Sequence, residues 1–225
     1  TRLIIINSPH NPSGALLSRA DLDRLAALIR DRDIHLLSDE VYEHLVFDGA
    51  EHQSVLRHDE LYQRAFVVGS FGKTYHVTGW KTGYVLAPPA FSAELRKVHQ
   101  FVSFTAVTPL QWALAEFMQQ HPEHLAELPG FYQAKRDLFC ALLADSRFVF
   151  TPSPGTYFQL ADYSAIRPDL DDVAMAEWLT REQGVAVIPV SVFYREPPAD
   201  MRLVRFCFAK RDDTLRAAAQ RLCAI

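Results

Sequence analysis

An α/β fold is predicted, with an open sheet of largely parallel strands followed by a smaller α+β unit. Three observations carry it. The chain opens on a short β-branched run, residues 2–6, of the kind that fills a strand buried on both faces. A helical pattern at 22–29 separates it from a second apolar run at 34–38, making a β-loop-α-β unit for which a right-handed parallel crossover is expected. After Phe150, Thr151-Pro152-Ser153-Pro154-Gly155 is rich in turn formers, and shorter strands and helices follow it.

The elements follow in order. Asn7-Ser8-Pro9-His10-Asn11-Pro12-Ser13-Gly14 packs two prolines and a glycine into eight residues and reads as a constrained loop. Asn11-Pro12 is a candidate cis bond. Ser18 with Asp21 fits a capping box before Leu22, Leu25, Leu28 and Ile29. The second strand ends at Asp39, a third spans 66–69, and a fourth spans 84–87, stopped by Pro88-Pro89. Helices are predicted over 91–103 and 108–120, with a longer one starting near Pro129. Beyond the break come strands at 157–160, 185–188 and 203–208 and helices at 171–183 and 212–223. The domain boundary is placed inside the long helix, giving parts 1–132 and 133–225.

Composition narrows the classes. The 225 residues are 49% hydrophobic and 22% charged, an ordinary globular balance. A net charge of -4 offers no basic field for nucleic acid or anionic membrane. Cys140, Cys207 and Cys223 are odd in number and far apart, which argues against a disulfide framework or a zinc site, and the nine histidines have no ligand spacing. No apolar run approaches the ~18 residues of a membrane span, and no signal peptide is visible. A reducing, cytoplasmic setting is expected. The chain starts inside a core strand without an initiator Met, so a piece of a longer protein is expected.

The chemistry centres on Phe66-Val67-Val68-Gly69-Ser70-Phe71-Gly72-Lys73-Thr74, a strand and glycine-bearing turn that deliver a lysine beside a serine. A desolvated lysine, or one beside another cation, can lose its proton and attack a carbonyl. Gly72-Lys73-Thr74 has the tail of a phosphate-binding P-loop, but Val67 stands where that motif needs its first glycine. Ser70-Phe71-Gly72-Lys73 and Lys81-Thr82-Gly83 match two motifs of penicillin-recognising serine enzymes, yet they lie too close together with no S-D-N between them. The neighbours favour another ligand. Asn11, Asp39, Tyr42, Ser70, Lys73 and Lys81 would gather at the carboxyl ends of adjacent strands, where open sheets bind ligands. A carboxylate, a phenol, an amide, a hydroxyl and two amines suit a protonated pyridine ring bearing a phenolic oxygen, an aldehyde and a phosphate, which is pyridoxal phosphate.

Asn11-Pro12-Ser13-Gly14, Asp39-Glu40-Val41-Tyr42, Ser70-Phe71-Gly72-Lys73 and Arg205-Phe206-Cys207-Phe208 together resemble the class I/II aminotransferases of fold type I, from Thr1 to Ile225. Ser70–Tyr84 and the Arg205 segment are similar to the branch of kynurenine aminotransferase, glutamine transaminase K and methionine aminotransferase. The resemblance implies part of a large mixed-sheet domain plus a small C-terminal α+β domain. It implies a Schiff-base and proton-shuttling role for Lys73, and an Asp39 partner for the pyridine nitrogen. Tyr42 and Asn11 would contact the phenolic oxygen, Ser70 and Lys81 the phosphate, and Arg205, with Asn11, the substrate carboxylate. At Lys81 many relatives carry arginine, whose bidentate fork lysine lacks. Arg202 competes with Arg205, but three positions along a strand put the two on opposite faces.

The implied activity is transamination between an amino acid with a large neutral side chain and a 2-oxo acid, in a homodimer and without metal. Two other classes stay open: a β-lyase acting on cysteine conjugates, and an aminotransferase-like domain of a transcription regulator. Relatives carry a phosphate-gripping loop, a ring-stacking aromatic and a partner-subunit tyrosine in a part with no counterpart here, so the chain alone is expected to transaminate little. Tyr75, Trp80, Phe104 and Tyr157 are candidates for the substrate side, but each reads more readily as core.

Overall fold

The computed structural model describes residues 1–225. By its internal contacts the chain divides into two units, Thr1–Pro9 with Leu16–Pro129, and His10–Ala15 with Gly130–Ile225. The division cuts the longest helix at Pro129 and assigns the Asn11–Gly14 loop to the second unit.

The first unit is built on a four-stranded sheet in the order β1 (Leu3–Asn7), β2 (His35–Asp39), β3 (Ala65–Ser70), β4 (Gly83–Leu86). β1, β2 and β3 are parallel and β4 runs antiparallel to β3. Helix α1 (Arg19–Ile29) connects β1 to β2, and its start has both halves of the Ser18/Asp21 capping box. Leu22, Ala26 and Ile29 recur at i, i+4 and i+7 and pack with Leu36, Val55, Leu61, Ala65 and Val67 in one apolar cluster. The short helix α2 (Asp59–Tyr62) precedes β3, and the single turn α3 (Phe71–Thr74) follows it. Helices α4 (Pro89–Val102) and α5 (Thr108–Gln120) each carry a proline in the first turn, where its missing N–H costs nothing.

Two expectations are corrected here. β1 is not buried on both faces: Leu3 and Ile5 are 47% and 66% exposed, because α1 and its cluster cover only the face of Ile4 and Ile6. The long helix α6 (His124–Leu142) starts five residues before Pro129. Its first turn is anchored in the first unit, where His124 Nε2 lies 2.7 Å from the Thr74 carbonyl and the ring stacks on Tyr75. These contacts hold residues that the proline alone marks as a boundary.

The second unit has a three-stranded antiparallel sheet, β5 (Phe158–Asp162), β6 (Ile188–Pro189) and β7 (Leu203–Cys207), with β7 in the middle. Helices α7 (Asp172–Arg181) and α8 (Asp212–Leu222) complete it, α7 capped by the Asp171 carboxylate. Phe206 of β7 packs against Phe139 and Phe148. The strand predicted over 185–188 shrinks to two paired residues. Val185 and Val187 are buried by packing rather than by a ladder.

Candidate active site

The first unit concentrates its polar chemistry where β2 and β3 end. Asp39 closes β2, and its carbonyl accepts from Ser8 N and from Asn7 Nδ2. Its Oδ1 accepts from the Val41 backbone N–H at 3.2 Å, an Asx-type closure that turns the chain out of the sheet. Glu40 N donates to the Val68 carbonyl, so the turn stays attached to β3 as it leaves. Glu43 N and Leu45 N then donate to the carbonyls of Glu40 and Tyr42, and Tyr42 is buried.

Glu40 is a buried carboxylate with a full set of donors. Oε1 accepts from Ser38 Oγ at 2.9 Å and Val55 N at 3.0 Å, and Oε2 lies 2.8 Å from His52 Nε2. Burial pushes the carboxyl pKa up, but hydrogen bonds from His52, Ser54 and Val55 outweigh it and hold the group below its ordinary 4.5. The stability this contributes is complete above that ordinary value and is lost as pH falls below it through the folded value. Glu40→Ala leaves buried donors without an acceptor and is expected to cost about 3 kcal/mol at neutral pH. Thermal unfolding from pH 7 down to pH 3 checks this: the gap between parent and variant should narrow as the medium becomes more acidic.

β3 ends at Gly69-Ser70. A side chain at Gly69 would bring its Cβ within 2.1 Å of Tyr84 Cζ, so glycine is required by the close approach of the Tyr84 ring. The Tyr84 hydroxyl donates to Glu43 Oε1, which ties β4 to the turn after β2. Burial first, then this bond, raises the Tyr84 pKa and keeps the phenol protonated. The chain bends into α3, where Thr74 Oγ1 donates to the Ser70 carbonyl and Thr78 Oγ1 to the Gly72 carbonyl. α3 sets the Lys73 amine 5.7 Å from the centroid of the Tyr42 ring. Lys81 is exposed, with a left-handed φ of +55°, two residues before Gly83, which pairs with Ser70. Asp39, Tyr42, Ser70, Lys73 and Lys81 therefore belong to adjoining strand ends of one sheet. Tyr75 stacks on His124 and packs edge-on against Phe117, a structural environment.

In the second unit, Arg205 sits in the middle of β7, opposite Leu160 and Ile188. Its guanidinium lies 3.9 Å from the centroid of the Phe158 ring and 5.5 Å from that of Phe193. Nη1 donates to Asn11 Oδ1. Arg202 is engaged differently, donating to the carbonyls of Pro168, Ala199 and Met201. The peptide bonds Ser8-Pro9 and Asn11-Pro12 are both cis. Tyr157 packs on Tyr132 within the same unit.

Residues 1–222 match the family "Aminotransferase class I and II". The chain belongs to this family. It is 52% identical over 222 residues to the methionine aminotransferase of Escherichia coli, covering 99% of this chain and 57% of that one. Kynurenine–oxoglutarate transaminase 1 of Mus musculus is 34% identical over 243 residues, covering 100% of this chain and 57% of the relative. A solved Escherichia coli structure described as having a methionine aminotransferase function superimposes with a TM-score of 0.95 at 51% identity, covering 100% of this chain and 59% of the other. The chain thus spans 57% of the length of these two curated relatives. The fold is that of the type I aminotransferases, and members of the family are pyridoxal-phosphate dependent.

The donor set of the first unit fits that cofactor. It supplies an anion at a strand end, a phenol, a hydroxyl and two amines, one of them beside the phenol ring. The supporting residues Glu40, His52 and Ser54 were not singled out from the sequence. The available signal is a second carboxylate directly after Asp39, at the end of an apolar strand.

Proposed function

We propose that this chain carries the cofactor-anchoring part of the large domain and the small C-terminal domain of a pyridoxal-phosphate-dependent aminotransferase. The observation that carries the reading is the Lys73 amine 5.7 Å from the centroid of the buried Tyr42 ring, on the helical turn that follows β3, the strand paired with β2 at Asp39. Bound there, the cofactor supplies a pyridinium ring that takes up the electron pair released when the substrate Cα–H bond breaks. Lys73 Nζ would hold the cofactor through its aldehyde carbon and would serve as the group that moves the substrate Cα proton. Asp39 holds a proton on the pyridine nitrogen, and a fixed anion there stabilises charge as it develops. Tyr42 and Asn11 donate to the phenolic oxygen. Ser70 and Lys81 hold the phosphate. Arg205 takes the substrate α-carboxylate as a fork-to-fork pair, and Asn11 supports it.

The donor is assigned as an amino acid with a large neutral side chain, and the acceptor as a 2-oxo acid. The similarity to a methionine aminotransferase and a kynurenine–oxoglutarate transaminase supports methionine and kynurenine as examples of such donors. They name transaminases and lend no support to a β-lyase or a regulatory domain. We further assign the chain to a cytoplasmic homodimer. No helix is long and apolar enough to cross a membrane, and the three cysteines are free. The exposed apolar side chains Phe101 (86%), Phe104 (80%) and Trp112 (72%) support burial against more protein.

A donor screen against a fixed 2-oxo acid tests the assignment. Methionine, glutamine and aromatic amino acids should exceed aspartate in kcat/KM by about 10- to 100-fold, the cost of leaving a second carboxylate without a cation. Equal or better use of aspartate contradicts it. Pyruvate released from a cysteine conjugate without acceptor would replace transamination with the lyase reading.

A further inference from the structure

We propose that Arg136 is a positioning residue of the substrate-carboxylate clamp, acting on Arg205 through the 151–156 turn and Asn11. This rests on the reading of Arg205 given above. All residues in the relay belong to the second unit.

Arg136 is 3% exposed, an uncommon fate for a guanidinium on a helix. It lies on the inward stripe Tyr132, Arg136, Phe139, Leu143, at helical spacing among fully buried neighbours. Its charge is met at the rim by Asp137 Oδ1 at 2.7 Å, while Nη1 donates inward to the Ser153 carbonyl at 3.0 Å. Ser153 is itself hydrogen-bonded through both its backbone and its hydroxyl. Its N–H donates to Gln159 Oε1 and its hydroxyl to the Gly155 carbonyl, which ties the backbone of the turn to β5 and closes it on itself. Buried Gln159 reaches on to the Thr151 carbonyl.

The Asn11 loop rests on that turn. Gly14 has φ +73°, and a Cβ built there would fall 1.8 Å from Ser153 Oγ and 2.6 Å from the Gly155 carbonyl oxygen. No other residue allows the two backbones to approach so closely. Gly14 N donates to the His10 carbonyl and His10 N to that of Ala15, which closes the loop and presents Asn11. Arg205 is then fixed from two directions, by Asn11 Oδ1 at its edge and by the Phe158 face beneath it. Phe158 and Gln159 are neighbours on β5, so both supports share one framework. A fork that must meet a carboxylate with two parallel bonds is sensitive to small rotations, and Arg136 sets the turn from which that aim derives.

The test measures, in the holoenzyme, the affinity for a 2-oxo acid by calorimetry and the affinity for pyridoxal phosphate separately. Arg136→Met should weaken 2-oxo acid binding about tenfold, in line with the misalignment of one hydrogen bond to a charged group, at unchanged cofactor affinity. In an Arg205→Lys background the same substitution should add nothing. Arg136→Lys, which keeps the charge and one donor, should fall between. Equal weakening in both backgrounds, parallel loss of cofactor, no change in 2-oxo acid binding, or failure of even Arg136→Lys to fold each overturn the proposal. If Arg205→Lys itself leaves 2-oxo acid affinity unchanged, the clamp reading fails. If that affinity drops but the Arg136 variants do not follow, only the positioning role fails.

Discussion

Lys73→Ala is expected to lower transamination by at least about 10⁴-fold. A positioned acid–base group contributes roughly 10²–10⁴-fold by itself, and this residue also provides the covalent hold on the cofactor aldehyde. No other lysine replaces it. Lys81 lies on the turn preceding β4 and is exposed. The substitution removes a half-buried side chain on a single helical turn whose other bonds, Tyr75 N to the Phe71 carbonyl and Thr74 Oγ1 to the Ser70 carbonyl, do not involve it. The fold should therefore survive. Single-turnover kinetics on the amino-acid half-reaction, with circular dichroism as the control for folding, checks both statements.

Asp39→Asn is expected to slow the same half-reaction by about 10²–10³-fold, the usual cost of removing one preorganised electrostatic partner of developing charge. Asparagine is nearly isosteric and keeps an acceptor for the Val41 N–H that closes the turn. Only the negative charge is lost. A drop in rate without a drop in melting temperature assigns the effect to charge. A rate within about threefold of the parent would remove Asp39 from the pyridine nitrogen.

The regular elements were legible where local pattern and packing agree. Ser18 and Asp21 announce α1, and Leu22, Ala26 and Ile29 bury the face their spacing implies. Local pattern does not specify the structure where tertiary contacts decide it. Val185–Ile188 has the composition of a strand, yet only Ile188 and Pro189 find a ladder partner. β1 has an apolar sequence on both faces and covers only one. The site followed the same rule. Asp39, Tyr42, Ser70 and Lys73 sit in short local motifs at strand ends, so their grouping could be inferred from the order of strands. Glu40 is not legible as a buried hub because its donor His52 comes from a separate loop. Arg136 is not legible as buried because an arginine on a helix is usually solvated. The stripe of Tyr132, Phe139 and Leu143 around it was the clue that it points inward.

The most direct test of the account is to incubate the protein with pyridoxal phosphate, reduce with borohydride, digest, and map the modified lysine by mass spectrometry. The account predicts a phosphopyridoxyl group on Lys73, absent when methionine is added before reduction because the donor displaces the lysine. Label on a different lysine, or none on Lys73 under conditions where the protein transaminates, would contradict it.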